Sequence, residues 1–187
     1  MPHAIRVHET GGPEVMKWEE VDVGEPGEGQ VRLKQSAAGL NYIDVYFRTG
    51  VYPQDSMPFT PGMEGAGEVV AVGPGVSHVK PGDKVAYAGA IGSYAEERIA
   101  PADRMVKLPD GIDEKTGAAM MLKGMTAAYL LTRTFKVGPD TTFLFHAAAG
   151  GVGLIVCQWA KHLGATMIGT VGSQEKAELA KAHGCTH

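Results

Sequence analysis

The chain has 187 residues, of which 44% are hydrophobic and 20% charged, a profile typical of a soluble globular protein with a substantial core. A formal net charge of −4 gives no electrostatic reason to expect binding to nucleic acid or to a membrane. The chain has only two cysteines, Cys157 and Cys185, and it contains neither an apolar leader nor an apolar run long enough to cross a membrane. These features predict a cytoplasmic protein without a disulfide framework.

Short strands between glycine and proline turns fill the first 110 residues. One helix, at 41–49, is expected to interrupt them. The strands are predicted at 5–8, 16–23, 30–37, 67–72, 84–88, 93–99 and 105–108. This spacing predicts a compact antiparallel, barrel-like domain.

A helical linker is predicted next. Asp113 is a suitable N-cap, and residues 117–135 carry an apolar face whose methionines, Met120, Met121 and Met125, are expected to fill a core. From about residue 137 the pattern changes to strand, helix, strand, helix. We therefore divide the chain into a first domain, 1–118, and a second domain, 119–187.

A glycine turn after an apolar strand is the most informative feature of the second domain. In the G-x-G-x-x-G frame Ala148 holds the first place, and Gly150 and Gly153 hold the others. A structural turn is the alternative, but the helix that follows and a second strand at 166–171 favour a dinucleotide-binding βαβ unit. The residues expected to bind phosphate through their backbone are Ala149, Gly150, Gly151 and Val152.

The cofactor type is expected to be decided where the second strand ends. An NAD site places Asp or Glu there to bind the ribose 2′-hydroxyl, whereas this chain has Gly172 and Ser173. Ser173 and Lys176 offer a hydroxyl and a positive charge to a 2′-phosphate, so we favour NADPH over NADH. Glu175 argues mildly against this choice, and in the alternative Ser173 only caps the next helix and Lys176 is solvated.

The sequence ends just as a third strand is expected to begin. Two strands with two helices cannot cover both faces of a parallel sheet. We therefore expect these 187 residues to be a fragment of a longer protein, with weak cofactor binding and little turnover alone.

Several motifs, in the right order, resemble the medium-chain dehydrogenase/reductase superfamily, and in particular its zinc-free NADPH:quinone oxidoreductase (zeta-crystallin-like) branch. They are Gly-Leu-Asn-Tyr-Ile-Asp at 39–44, Pro-Gly-Met-Glu-Gly-Ala-Gly at 61–67, Lys-Pro-Gly-Asp-Lys-Val at 80–85 and Ala-Ala-Gly-Gly-Val-Gly at 148–153. The resemblance covers the whole chain. It implies a GroES-like antiparallel catalytic domain followed by an incomplete Rossmann dinucleotide-binding domain.

The same resemblance addresses a metal site. In zinc alcohol dehydrogenases of this superfamily the catalytic zinc is bound at the places that hold Asn41, Met63 and Lys123 here. None of the three is a good zinc ligand, so we predict that the protein binds no metal. Glu64 and Lys123 are expected either to shape the vacated pocket or to form a structural ion pair.

Without a metal, the acceptor must itself be electrophilic, as a quinone or an alkene conjugated to a carbonyl is. Hydride would pass from NADPH to this acceptor, and the candidate hydrogen-bond donors to it are Asn41, Tyr46 and Tyr52. Of these, Asn41 and Tyr52 resemble the polar residues that the family places near the nicotinamide. Each tyrosine has the alternative of a buried aromatic residue with a satisfied hydroxyl. Thr126 resembles a family position that contacts the nicotinamide or its phosphate.

Three functions follow as hypotheses. The leading one is an NADPH-dependent quinone reductase, and the second is an alkenal or enone double-bond reductase with the same fold. The third is a non-catalytic nucleotide-binding structural protein, as some relatives are. The acidic balance argues against RNA as a partner, and by resemblance the full-length protein is expected to be a homodimer.

Overall fold

The computed structural model describes every residue from Met1 to His187. The chain forms two compact units, an N-terminal unit of Met1–Leu122 and a C-terminal unit of Lys123–His187. Helix α2 (Glu114–Tyr129) contains this boundary, and it also contains the domain boundary proposed from the sequence, after residue 118.

The N-terminal unit is an antiparallel β-structure, as the turn spacing predicted. Five of its strands form one sheet in the order β6-β3-β4-β5-β7, and β1 pairs with β2. Helix α1 (Tyr42–Thr49) follows β3 at the predicted place. The strands are β1 (His3–Val7), β2 (Met16–Glu20), β3 (Gln30–Gly39), β4 (Glu64–Val72), β5 (Lys84–Ala88), β6 (Glu97–Pro101) and β7 (Val106–Lys107).

The longest pairing, β3 with β4, begins earlier in β4 than predicted. The glycines of Glu64-Gly-Ala-Gly are typical of a turn, yet they form strand because they let two backbones approach closely. A Cβ atom at Gly67 would lie 2.1 Å from the backbone oxygen of Lys34. The inward side chains of these strands, among them Leu33, Val69 and Tyr87, are fully buried in the core of the unit.

The strand predicted at 93–99 was wrong in its first half, and β6 begins only at Glu97. The residues before it make one isolated antiparallel bridge to β1, between Ala95 and Ala4, and otherwise bond to a neighbouring loop. The backbone amides of Gly92 and Ser93 both donate to the oxygen of Gly62, and the amide of Tyr94 donates to that of Pro61. A left-handed φ of 117° at Gly92 turns the chain into these bonds.

The C-terminal unit contains the predicted βαβ unit. Strands β8 (Thr142–Phe145) and β9 (Thr166–Gly169) pair in parallel, and α3 (Gly151–Leu163) connects them. Helix α4 (Gln174–Ala182) follows β9. The core of the unit collects buried side chains from α3 and β9, including Val156 and Met167.

Helix α2 begins at Glu114, directly after the predicted cap Asp113, and changes to a π-helical turn at Leu130–Thr134. Its predicted cap is confirmed, since Asp113 Oδ1 accepts a hydrogen bond of 2.7 Å from the amide of Thr116. The prediction that its methionines fill a core was wrong for two of them: Met120 and Met125 are 47% and 51% exposed. Apolar residues occur all round α2, so they cannot all face a core.

None of the helices is both long enough and apolar enough to cross a membrane.

Candidate functional site

The predicted phosphate-binding turn connects β8 to α3. Gly150 is the N-cap of α3, with extended backbone angles of −81° and 173°. The left-handed position in this turn is Ala147, with a φ of 54°, so the strained residue is not one of the glycines. Two backbone bonds hold the turn: Gly150 donates to Ala147, and Ala148 donates to the oxygen of Thr170 beyond β9.

The third glycine of the fingerprint is required by packing. A Cβ atom at Gly153 would lie 2.5 Å from the backbone oxygens of both Ala147 and Ala148. Ala148, in the first place of the fingerprint, fits because its methyl group lies where a side chain at Gly169 would be. The start of α3 therefore stays close to β8, with its first amides directed out of the helix end, where they favour an anion.

The end of β9 is followed by the residues assigned to a 2′-phosphate. Gly172 is exposed, and there is open space where a side chain would lie. Ser173 is the N-cap of α4, and its hydroxyl oxygen accepts a 3.3 Å hydrogen bond from the amide of Lys176. Capping is therefore one role of Ser173, and its O–H group keeps the capacity to donate to a ligand.

A second polar cluster surrounds Asn41 in the N-terminal unit. Asn41 is the N-cap of α1, is 7% exposed, and donates from Nδ2 to Oε1 of Glu64 at 2.8 Å. The carboxylate of Glu64 is fully buried, and its Oε2 accepts a 2.6 Å hydrogen bond from the amide of Leu122. The pairing of β3 with β4 places Glu64 opposite Gly39, where a Cβ atom would lie 2.3 Å from Oε1.

Asp44 completes this cluster from the first turn of α1. Its Oδ2 accepts from the backbone amide of Asn41 at 3.0 Å and from the hydroxyl of Tyr94 at 2.9 Å. Its Oδ1 is buried without a hydrogen-bond partner. Burial raises the pKa of Asp44, and burial together with the neighbouring Asp44 carboxylate raises the pKa of Tyr94.

Sequence reasoning did not assign a role to Asp44 or Tyr94. A signal for Asp44 was available, since Asn41 and Asp44 have the spacing of an N-cap and its N3 partner. No local pattern indicates Tyr94, which lies 50 residues from Asp44 and reaches it only through the fold.

The raised pKa of Asp44 gives a testable pH dependence. A carboxyl whose folded pKa lies above its unfolded value of 3.8 adds stability at low pH, and this contribution is lost as the pH rises through the folded pKa. Asp44→Asn lacks that titration, so the variant is expected to gain stability relative to the parent as the pH rises from about 4 to about 8. Denaturant titrations of both proteins across this range measure the difference.

The comparison between parent and variant is needed because other carboxyls change the stability with pH in the opposite direction. Hydrogen bonds from the Lys107 side chain to Asp83 and from the Thr116 amide to Asp113 lower the pKa values of those two carboxyls. Their contributions cancel in the difference. A difference that stays constant with pH would contradict the assignment to Asp44.

The two predicted tyrosines belong to an aromatic cluster on α1 and the loop after it. The ring centroids of Tyr46 and Tyr52 lie 5.3 Å apart in an edge-to-face arrangement, and Tyr46 contacts Tyr42 in the same way at 5.2 Å. Tyr52 is 45% exposed, so it is not the buried aromatic of the alternative interpretation. The structure thus brings Tyr46 and Tyr52 together, while the amide of Asn41 is bonded to Glu64.

Thr126, in α2, is partly buried in the C-terminal unit.

The places of the superfamily's zinc ligands do not fit a metal. They hold an amide, a thioether and an ammonium group, in Asn41, Met63 and Lys123. No three His, Cys, Asp or Glu side chains in the chain are grouped so that they could hold a metal ion.

Two family models match the chain, one in each part. A model described as "Alcohol dehydrogenase GroES-like domain" matches residues 27–110, and one described as "Zinc-binding dehydrogenase" matches residues 151–187. This order confirms the predicted GroES-like domain followed by a Rossmann-type domain.

Individual relatives are also similar along the chain. A quinone oxidoreductase of Pseudomonas aeruginosa is 51% identical, over 98% of this chain and 57% of its own length. A 2-haloacrylate reductase of a Burkholderia species is 47% identical, over 100% of this chain and 58% of its own length. The crystal structure of an Escherichia coli quinone oxidoreductase complexed with NADPH has a TM-score of 0.93 and 48% identity, over 98% of this chain and 56% of that one. The chain therefore spans somewhat more than half the length of these relatives.

Proposed function

Because the chain belongs to the medium-chain dehydrogenase/reductase superfamily, in its quinone oxidoreductase branch, we propose that the whole protein transfers hydride from NADPH to a quinone. The observation that carries this proposal is the βαβ unit, in which the start of α3 is held close to the end of β8 by Gly153. Residues 1–118 would form the catalytic domain and residues 119–187 the start of the NADPH-binding domain.

The residues present fit NADPH. The backbone amides at the start of α3 bind its phosphates, because they have no acceptor within the helix and carry the positive end of the helix dipole. When bound, NADPH supplies the hydride. The residues proposed to hold it are Thr126, Ala149, Gly150, Gly151, Val152, Gly172, Ser173 and Lys176.

The side chains at the zinc-ligand places are poor metal ligands, so we propose that no metal polarises the acceptor. A quinone needs no such polarisation, because its carbonyl groups are already conjugated and electron-poor. The protein's task is to orient the acceptor and to donate a hydrogen bond to the oxygen that gains negative charge. Asn41, Tyr46 and Tyr52 are the proposed donors.

The test is the loss of NADPH absorbance by the whole protein with a simple benzoquinone, compared with a 2-alkenal. Faster turnover of the benzoquinone supports the proposal. Faster turnover of the alkenal would assign the protein to the double-bond reductases, a second candidate favoured by the similarity to a 2-haloacrylate reductase. Tight NADPH binding without turnover of either would support the non-catalytic alternative.

Lys176 provides a test of the cofactor type. Lys176→Ala is expected to weaken NADPH binding about tenfold and to leave NADH binding nearly unchanged, because the lost charge faces only the 2′-phosphate. Dissociation constants measured by the quenching of protein fluorescence give both values. Lys181→Ala, on the same helix, is the control for a general loss of positive charge. Equal losses for NADPH and NADH in Lys176→Ala would rule out the phosphate contact.

We further propose that the whole protein is a homodimer that acts on small electrophiles and has no nucleic acid or membrane partner. Light scattering of the whole protein measures the oligomeric state, and a monomer would contradict this part of the proposal.

A further inference from the structure

A cavity of about 390 Å³ lies in the N-terminal unit, among β1, β6 and residues of the loops at 54–60 and 91–95. None of the residues proposed to hold NADPH or the acceptor lines this cavity, but two arginines do, Arg6 from β1 and Arg98 from β6. We propose that the cavity is a second binding site, separate from the proposed site of hydride transfer, and that its two guanidinium groups bind a small organic carboxylate.

Arg6 is held in place by neutral acceptors. Its Nη1 group donates to Oγ1 of Thr60 at 3.2 Å, and its Nη2 group donates to the backbone oxygen of Pro58 at 2.9 Å. It forms no ion pair with a carboxylate. A guanidinium group has five N–H groups, so these two bonds leave three of them for a ligand.

Arg98 is oriented by the loop that precedes β6. Its side chain donates to the backbone oxygens of Ala90 at 3.0 Å and Ile91 at 2.7 Å, and two longer bonds, of 3.3 and 3.4 Å, also end on neutral oxygens. The guanidinium carbon lies 5.2 Å from the centroid of the Tyr87 ring, and a Cβ atom at Gly92 would lie 3.2 Å from this carbon. These neutral contacts fix the position of the positive charge without compensating it, and they leave one N–H group, on Nη2, for a ligand.

Two carboxylates also line the cavity, and only one of them has a charged partner. Glu97 is paired with Arg32 at 2.7 Å, and the other partner of Arg32, Glu25, is exposed and lies outside the cavity. Asp22 accepts a 3.2 Å hydrogen bond from the amide of Gly24 and forms no ion pair. The charges that remain in the lining are those of the two arginines and of Asp22. The surplus is one positive charge, which a monoanion would compensate.

The remaining walls determine the kind of anion. Most of the other side chains that line the cavity are apolar, among them those of Phe59, Ile91 and Ile99. The volume is within the usual range of small-molecule sites, about 300 to 1,000 Å³. A guanidinium group matches the two oxygens of a carboxylate in one plane, and the apolar walls would contact a hydrocarbon body. Inorganic phosphate would leave those walls without a partner, so the lining favours an organic carboxylate.

The first test is a calorimetric titration of the whole protein with benzoate, in the presence of saturating NADPH so that the proposed phosphate site is filled. Benzoate is expected to bind with a Kd of about 1 mM or tighter, a modest affinity for its size. Benzamide has nearly the same shape but no charge, and it is expected not to bind measurably. Equal heats from benzoate and benzamide would overturn the inference, as would tighter binding of inorganic phosphate than of benzoate.

Arg6→Gln decides whether benzoate binds in this cavity. The glutamine can still donate to the neighbouring oxygens but carries no charge, so the affinity for benzoate is expected to fall about tenfold. Arg104→Gln is the matched control, because Arg104 belongs to the same unit, has a side chain that is 56% exposed, and approaches Asp103 outside the cavity. This control is expected to bind benzoate like the parent. Equal affinities in Arg6→Gln and the parent would contradict the proposed site.

Ser56→Trp tests the cavity without removing either arginine. Ser56 lines the cavity from an exposed position, so a larger side chain there displaces no core residue. The indole ring is expected to fill the cavity and to abolish benzoate binding. Met57→Trp is the control, because Met57 is 40% exposed and does not line the cavity. Benzoate binding that persists unchanged in Ser56→Trp would overturn the inference.

Discussion

Gly153→Val is expected to abolish measurable NADPH binding and to lower the free energy of unfolding by about 3 kcal/mol. The reason is steric and involves only backbone atoms. A Cβ atom at this position would lie 2.5 Å from the oxygens of Ala147 and Ala148, which cannot swing aside as the end of a side chain does. The start of α3 must therefore move away from β8, and the amides proposed to bind phosphate move with it.

The measurements are a denaturant titration and an NADPH titration of the same protein. Gly138→Ala is the matched control in the C-terminal unit, because no atom lies near the position of its Cβ and its φ is not left-handed. We expect the control to keep both stability and NADPH affinity. If Gly153→Val bound NADPH like the parent, the turn would not be the phosphate site.

Gly39→Ala is expected to have the largest effect in the N-terminal unit, with a loss of about 3 kcal/mol in the free energy of unfolding and of most quinone turnover. The added Cβ atom would lie 2.3 Å from Oε1 of Glu64 and 2.4 Å from the backbone oxygen of Ala118. Either the buried carboxylate leaves its bonds to Asn41 and Leu122, or β3 moves away from α2. Both responses disturb a buried charge.

Gly27→Ala is the control for this variant. Its Cβ atom would approach only the end of a flexible side chain, that of Gln30, at 3.2 Å. Thermal unfolding and benzoquinone-dependent NADPH oxidation of the two variants give the comparison. Retention of parental stability by Gly39→Ala would show that Glu64 is not confined as the structure describes.

Local sequence patterns predicted the elements of this fold better than patterns that depend on distant partners. The helix after Gly39 and the βαβ unit were predicted at nearly the observed positions, because caps, glycines and apolar runs are local signals. The strand predicted at 93–99 and the core role of Met120 and Met125 were wrong. The conformation of 93–96 depends on hydrogen bonds to residues distant in sequence. The exposure of Met120 and Met125 depends on which face of α2 is directed to solvent.

The proposed site divides in the same way. Three features of the site can be identified from the sequence: the fingerprint around Gly150 and Gly153, the absence of a carboxylate at the end of β9, and the poor zinc ligands at three family positions. Whether Ser173 and Lys176 contact a 2′-phosphate stays a prediction, as do the roles of the two tyrosines. The hydrogen bond that the Lys176 amide donates to the Ser173 hydroxyl was expected only in the alternative interpretation, in which Ser173 caps the helix.

The order of the two domains and the position of the glycine turn proposed to bind phosphate could be predicted from the sequence, because both depend on patterns among neighbouring residues. That Tyr94 joins the buried residues Asn41, Asp44 and Glu64 in one hydrogen-bonded cluster is apparent only in the folded chain. The physical reason is that β-sheet register joins residues far apart in the chain: the pairing of Gly39 with Glu64 spans 25 positions, and no local pattern encodes it.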